Sequence, residues 1–241
     1  MSWKSDALKH AKAYSPKESC GLIVVIKGRK KYWGAKNLSV DESNFILDPA
    51  DFAAAEDAGT VIGIVHSHPT TPPYPSAADR VSCQQSGLPW HIVNPHLEEW
   101  YTLNPEDYTP DLIGREWVWN SLDCWSLVRS WYKEQGVELP DYKRPTTPEE
   151  FDESPLFDTY WADAGFYRIA DDEPLQVGDA LLMSIGSDKL NHVGVVIENN
   201  MMLHHLRGRL SSADIYGEWL QNNTGKRLRL YNWQELSFYS V

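Results

Sequence analysis

The spacing of apolar and polar positions divides the chain into two differently built halves. Between residues 2 and 14, Ala7, Leu8, Ala11 and Tyr14 recur at helical spacing, which predicts a short amphipathic helix ended by Ser15-Pro16. The β-branched apolar run Cys20–Ile26 predicts a buried strand, and Lys31–Trp33 begins another. Asp48 through Glu56 predicts a helix with an aspartate cap and a proline near its start. Thr60–His68 reads as a second buried strand that runs straight into the proline-rich loop Pro69–Pro75, after which Ser76 N-caps the next helix. Trp90–Val93 and Glu99–Leu103 complete an alternation of helices and strands, so this half is expected to be α/β.

A segment rich in Pro, Asp and Thr, from Asn104 to about Gly114, is the best boundary, and the expected domains are residues 1–105 and 106–241. Beyond it, Leu122–Glu134 has helical periodicity and opens at Asp123-Cys124. Pro140–Phe157 predicts a long loop with one helical turn, and Gln176–Met183 a turn leading into a strand. His192–Glu198 and Met201–His205 predict paired strands around Asn199-Asn200. A helix followed by strands is an α+β pattern. The chain carries no internal repeat and no low-complexity tract.

Composition narrows the function classes. A length of 241 residues suits two domains, and 42% apolar content suffices for packed cores. The net charge of −12, with no basic run, argues against nucleic-acid binding and against docking on an anionic membrane. The N-terminal residues lack the apolar stretch of a signal peptide, and the longest apolar run, near Leu22–Ile26, is too short to span a bilayer, so no membrane insertion is expected. Three cysteines (Cys20, Cys83 and Cys124) do not make a disulfide framework, which fits synthesis in a reducing cytoplasm.

Two clusters carry chemistry. His66 and His68, two apart on a strand, face the same way, so both imidazoles can reach one ion, and a loop can return the Asp79 carboxylate as a third ligand. Three protein ligands with a position left for water make a catalytic rather than a structural zinc site, so one Zn2+ is expected. Glu18, at the start of the preceding strand, is then the candidate general base, and Ser76 a candidate donor to a developing oxyanion. Cys20 reads as a small core residue, and His91 and His96 as structural. In the second half, Cys124 sits in a first helical turn, where the positive helix end favours thiolate. His192 is its candidate base, with His204, or alternatively His205, orienting the imidazole.

Glu18, His66-Ser67-His68-Pro69 and Ser76-Ala77-Ala78-Asp79 together resemble the JAMM (Mov34/MPN/PAD-1) metalloproteases across roughly residues 2–103. That resemblance implies a cytidine-deaminase-like α/β fold and zinc-dependent isopeptide cleavage. Asp123-Cys124, Val177-Gly178-Asp179-Ala180-Leu181-Leu182 and His192-Val193-Gly194-Val195 resemble the NlpC/P60 cysteine peptidases, which implies a papain-like α+β fold. That family usually has Asp-Cys-Ser-Gly where this chain has Asp123-Cys124-Trp125-Ser126, and it has a Tyr and glycines upstream where this chain has Trp117 and Asn120-Ser121. Such changes reshape a substrate cleft.

The succession of the two motifs resembles the tail assembly protein K family of long-tailed phages like lambda. That likeness implies a host-cytoplasmic assembly component that reaches the virion tail tip, with other tail-tip proteins as partners and peptidoglycan stem peptides as substrate. Trimming of a tail protein during assembly, or a structural subunit keeping silent peptidase folds as scaffold, are the alternatives.

Overall fold

The computed structural model describes residues 2–231. The chain forms two compact units divided between Thr109 and Pro110.

In the first unit, α1 (Trp3–Tyr14) starts at Ser2, whose hydroxyl accepts from the Ser5 amide, and buries Ala7 and Ala11. It is followed by β1 (Cys20–Ile26), β2 (Arg29–Ala35), α2 (Pro49–Ala58), β3 (Thr60–Ser67), α3 (Ala77–Ser86), β4 (Trp90–Asn94) and β5 (Glu99–Leu103). The strands form one sheet in the order β2-β1-β3-β4-β5, in which only β3 and β4 run parallel. Alternate residues of β1 serve opposite faces. Leu22 and Val24 pack with Ala55 of α2 and Cys83 of α3, whereas Ile23 packs with Val65 and with Ala7 of α1. A sheet covered on both faces accounts for the unbroken apolar run in β1. The β3 strand stops at Ser67, one residue short of the expectation, although the His68 amide still donates to the Val93 carbonyl, because Pro69 turns the chain into the proline loop.

In the second unit, α4 (Cys124–Glu134), α5 (Pro148–Asp152) and α6 (Leu156–Tyr160) precede β6 (Phe166–Arg168). Then come β7 (Ala180–Met183), β8 (His192–Ile197), β9 (Met201–His204), β10 (Ser212–Ile215), α7 (Glu218–Asn223) and β11 (Thr224–Leu230). The sheet order is β10-β9-β8-β7-β11-β6, antiparallel throughout. One face buries Leu182, Val193, Val195 and Leu203 against Leu127, Val128 and Trp131 of α4; the other packs Leu181, Met183, Val196 and Met202 with Tyr216 and Leu220. In the turn before β7, Gly178 has φ of 92°, and buried Asp179 accepts from the Gln176 amide and from Arg229 at 2.8 Å. The segment expected to hold one helical turn holds α5, which Pro148 opens under a capping box between Thr147 and Glu150, and α6 begins at its end and runs beyond it.

Candidate metal centre and cysteine site

Strand register sets the first site. Cys20 of β1 pairs with His66 of β3, and just upstream the Ser19 amide donates to Ser67 Oγ at 2.8 Å. Asn37 donates to the Glu18 carbonyl at 2.9 Å. These bonds hold Glu18 beside the end of β3, and its carboxylate lies 3.8 Å from His68 Nε2. The His66 ring stacks on Phe45 with centroids 4.8 Å apart and meets Trp90 edge-on. After the proline loop, Ser76 caps α3 in a capping box with Asp79: the Ser76 hydroxyl accepts from the Asp79 amide, while the Ser76 amide and hydroxyl both donate to Asp79 Oδ2 at 2.8 Å. The capping box thereby turns the Asp79 carboxylate toward the histidines. The Ser76 hydroxyl is committed to that carboxylate here, so service at an oxyanion requires it to exchange this bond.

The donor set fits a tetrahedral metal ion. His66 Nε2 and His68 Nε2 are 3.1 Å apart, and the Asp79 carboxylate oxygens lie 3.1 Å from His66 Nε2 and 3.5 Å from His68 Nε2. Ligands about 2.0–2.1 Å from a tetrahedral centre are spaced about 3.3 Å from one another, near the separation of the two imidazole nitrogens, with one Asp79 oxygen close to each of them. His68 Nδ1 faces the Pro72 carbonyl at 3.2 Å; donating there leaves the lone pair on Nε2, the nitrogen turned inward. All three residues are buried. Burial lowers the His66 pKa, so its ring is held neutral as a ligand needs. Burial opposes the Asp79 charge, but His66, His68 and the Ser76 amide outweigh it and hold the carboxyl below its ordinary range. Glu18 is pushed up to about 9 by burial first and by the Asp79 charge second.

The second site is built where α4 meets the sheet. Asp123 caps α4, its side chain accepting from the Ser126 amide at 2.9 Å, which places Cys124 at the first helical position. Cys124 packs into the core with Val193, whose backbone amide reaches the sulfur. On the sheet, Gly194 of β8 stands opposite His204 of β9, so His192 and His204 are diagonal neighbours. His192 Nε2 lies 3.3 Å from His204 Nδ1, and His204 Nε2 lies 2.8 Å from an oxygen of Asp214 on β10. Glycine is required at 194, since a Cβ there would lie 2.8 Å from Met202 Sδ and 3.0 Å from the His204 Cβ. When Asp214 accepts from His204 Nε2–H, His204 Nδ1 accepts in turn from His192, which leaves the His192 lone pair on Nδ1. His205 instead lies by the carbonyls of Arg115 and Arg209, away from this chain of contacts, and is depressed to about 4, mainly by burial.

The electrostatics of the thiol differ from the helix-start expectation. Burial, with the Asp123 charge second, pushes Cys124 up to about 12, outweighing the amide contacts from Val193 and Trp125. Burial, with His204 and His205 adding to it, depresses His192 to about 3. Thiol and imidazole are both neutral at rest. Nothing in the sequence pattern marks Asp214, because its strand follows Arg207-Gly208-Arg209, a stretch without alternation; only the diagonal register to His204 brings it in.

Residues 2–105 match the model of prokaryotic homologs of the JAB domain, and residues 114–229 match the NlpC/P60 family. The tail tip assembly protein K of Escherichia phage N15 is 38% identical over 230 residues, which is 92% of this chain and 91% of that protein. The chain belongs to the tail tip assembly protein K family. The family member from Escherichia phage lambda is 31% identical over 81% of this chain and 94% of its own length. Among solved structures, a JAB1/MPN domain protein from Archaeoglobus fulgidus is 24% identical over 43% of this chain and 84% of that chain, with a TM-score of 0.29. The chain thus joins a JAB/MPN-like unit to an NlpC/P60 unit in a phage tail assembly role. Among the described residues no helix is long and apolar enough to cross a membrane.

Proposed function

We propose that this tail tip assembly protein is a peptide hydrolase with two separate centres, a zinc-dependent one in the first unit and a cysteine-dependent one, acting on peptidoglycan stem peptides, in the second. The observation that carries the reading is the buried cluster of His66, His68 and Asp79, whose ligand atoms all lie within 4.8 Å of one another, with Glu18 beside it. His66, His68 and Asp79 would hold the ion. When bound, zinc supplies a Lewis acid and makes water acidic enough to attack at neutral pH. Glu18, whose carboxyl the charge of a bound ion would return toward its ionised form, would take the proton of the attacking water and pass it to the departing amine. Ser76 keeps the carboxylate of Asp79 aimed and, with its hydroxyl freed, can donate to the oxyanion.

In the second unit the Cys124 sulfur attacks the stem-peptide carbonyl while His192 accepts the thiol proton. The C–N bond breaks, the amine leaves with that proton, and water hydrolyses the thioester. His204 and Asp214 orient His192 and stabilise it as it becomes charged. Neutral reactants at rest make this a general-base route rather than attack by a preformed thiolate. Host cytoplasm during assembly, followed by the virion tail tip beside other tail-tip proteins, is the setting we assign.

Purified full-length protein incubated with muropeptides tests this directly. Cleavage lost with Cys124→Ala and retained with His68→Ala supports wall hydrolysis by the second unit. The closed, neutral setting of Cys124 is the observation that favours the scaffold reading. No cleavage by any form, together with intact tail assembly by both variants, would establish that reading instead.

A further inference from the structure

The loop Pro69–Pro75 joins β3 to α3 beside the metal centre, and four of its seven residues are proline. A proline has no amide hydrogen, so such a loop has few donors with which to anchor itself, and its carbonyls become its handles. Two consecutive carbonyls meet side chains at the ends of β3 and β4. Asn94, the last residue of β4, donates from Nδ2 to the Thr71 carbonyl at 2.8 Å, and His68 Nδ1 faces the Pro72 carbonyl at 3.2 Å. Asn94 lies one step beyond the pairing of Ser67 with Val93, level with His68 in the parallel register.

The other contacts of Asn94 fix its amide. Its Oδ1 accepts from the His96 amide at 2.9 Å and from the Leu97 amide at 2.8 Å, which shapes the turn between β4 and β5. Two amide donors can meet only the oxygen, and a carbonyl can meet only the NH2 group, so the orientation is not interchangeable. A turn of this kind needs the oxygen alone, and aspartate would serve it equally. The bond to Thr71 is what requires an asparagine. Asn94 is buried, so that donor would be costly to leave unmade. Pro72 has a fixed φ, and the residue before a proline is confined to extended backbone, so holding the Thr71 carbonyl also settles where the Pro72 carbonyl points.

We propose that Asn94 is a positioning residue of the metal centre: by tying down Thr71 it holds the Pro72 carbonyl against His68 Nδ1–H, and so keeps the His68 Nε2 lone pair on the side of His66 and Asp79. The bond made by the outer nitrogen of a metal-binding imidazole sets its tautomer, its orientation and its basicity. The proposal rests on the metal-centre reading of the first unit, to which it adds a residue that acts through the loop rather than on the ion.

The test reads the His68 tautomer by nitrogen NMR of metal-free, full-length protein labelled at histidine, with His68→Gln assigning the signals, and then titrates the same samples with zinc. Wild type is expected to carry the His68 proton on Nδ1. Asn94→Asp keeps the turn acceptor and loses the donor; it should move part of that population to Nε2 and weaken zinc binding about tenfold. The added carboxylate would by itself attract a cation, so weaker binding reports the missing donor and not the charge. Asn94→Ala, which loses the turn acceptor as well, should show the same shift of tautomer. A proton on Nε2 in wild type, a tautomer unmoved in both variants, or zinc affinity that Asn94→Asp leaves unchanged would overturn the proposal. Wild-type protein that binds no zinc, while its His68 tautomer still depends on Asn94, removes the metal reading and leaves the positioning of His68 standing.

Discussion

Burial favours uncharged groups at both sites, but only in the first do partners outweigh it and keep a carboxylate ionised. The first unit collects groups that need a positive charge among them: two imidazole nitrogens 3.1 Å apart, a carboxylate held ionised and a second carboxyl raised by burial and then by the first. A divalent cation placed among them would relieve each of these at once. In the second unit burial favours the uncharged form of every reacting group, leaving a thiol at about 12 and an imidazole at about 3. The first arrangement stores demand for an ion, whereas the second stores demand for a proton transfer during attack. A helix start alone therefore does not make a thiolate; the helix end contributes roughly 0.3–1 kcal/mol, and full burial of a charge costs more.

The largest expected effect separates the sites outright. Cys124→Ala should lower muropeptide cleavage by at least about a thousandfold and leave zinc content unchanged, and His68→Ala should do the reverse; loss of both properties in either variant would break the separation. Next, His204→Ala is expected to slow that cleavage about a hundredfold, and Asp214→Asn by no more than about tenfold because its side chain is 55% exposed. Equal losses would mean that Asp214 does more than aim His204.

Gly194→Ala should destabilise the second unit by about 1–3 kcal/mol, read by urea denaturation, because the new methyl meets Met202 and the His204 Cβ. An unchanged midpoint would contradict the close packing of the histidine pair.

The smallest effects are in pH. Iodoacetamide labelling of Cys124 should keep climbing through pH 10 toward its value of about 12, whereas a plateau below pH 8 would restore the thiolate picture. His192 and His205 are depressed in the fold to about 3 and 4, below the ordinary value near 6.5. Between those values the unfolded chain binds protons that the folded chain does not. Their stabilisation is therefore complete above about pH 6.5 and is lost as pH falls toward 4 and 3. Urea midpoints that hold steady from pH 7 to pH 4 would contradict these two shifts.

The first site was legible because its information is local. His66 and His68 lie two apart on one strand, Ser76 and Asp79 lie three apart at a helix start, and the elements around them obey simple periods. Glu18 needed the family resemblance as well, since its position depends on the pairing of β1 with β3. The second site was only half legible. The helix start at Cys124 and the strand at His192 follow from pattern, but what covers Cys124 does not. Apart from Trp119 and Trp125, the aromatic residues of the cavity beside Cys124 lie between Tyr142 and Phe166, 18 or more residues beyond the cysteine, in sequence that begins as an expected loop. Burial of that kind is a tertiary property, and it reverses the local electrostatic expectation. Asp214 was missed for the same reason, since it reaches His204 through packing rather than spacing.

The metal centre carries the account, and its metal content is the most direct test. After equilibration with zinc and desalting, wild type and Cys124→Ala are each expected to retain about one zinc per chain, whereas His66→Ala and Asp79→Ala fall to near background. Wild-type protein that retains no more zinc than those two variants would contradict the account.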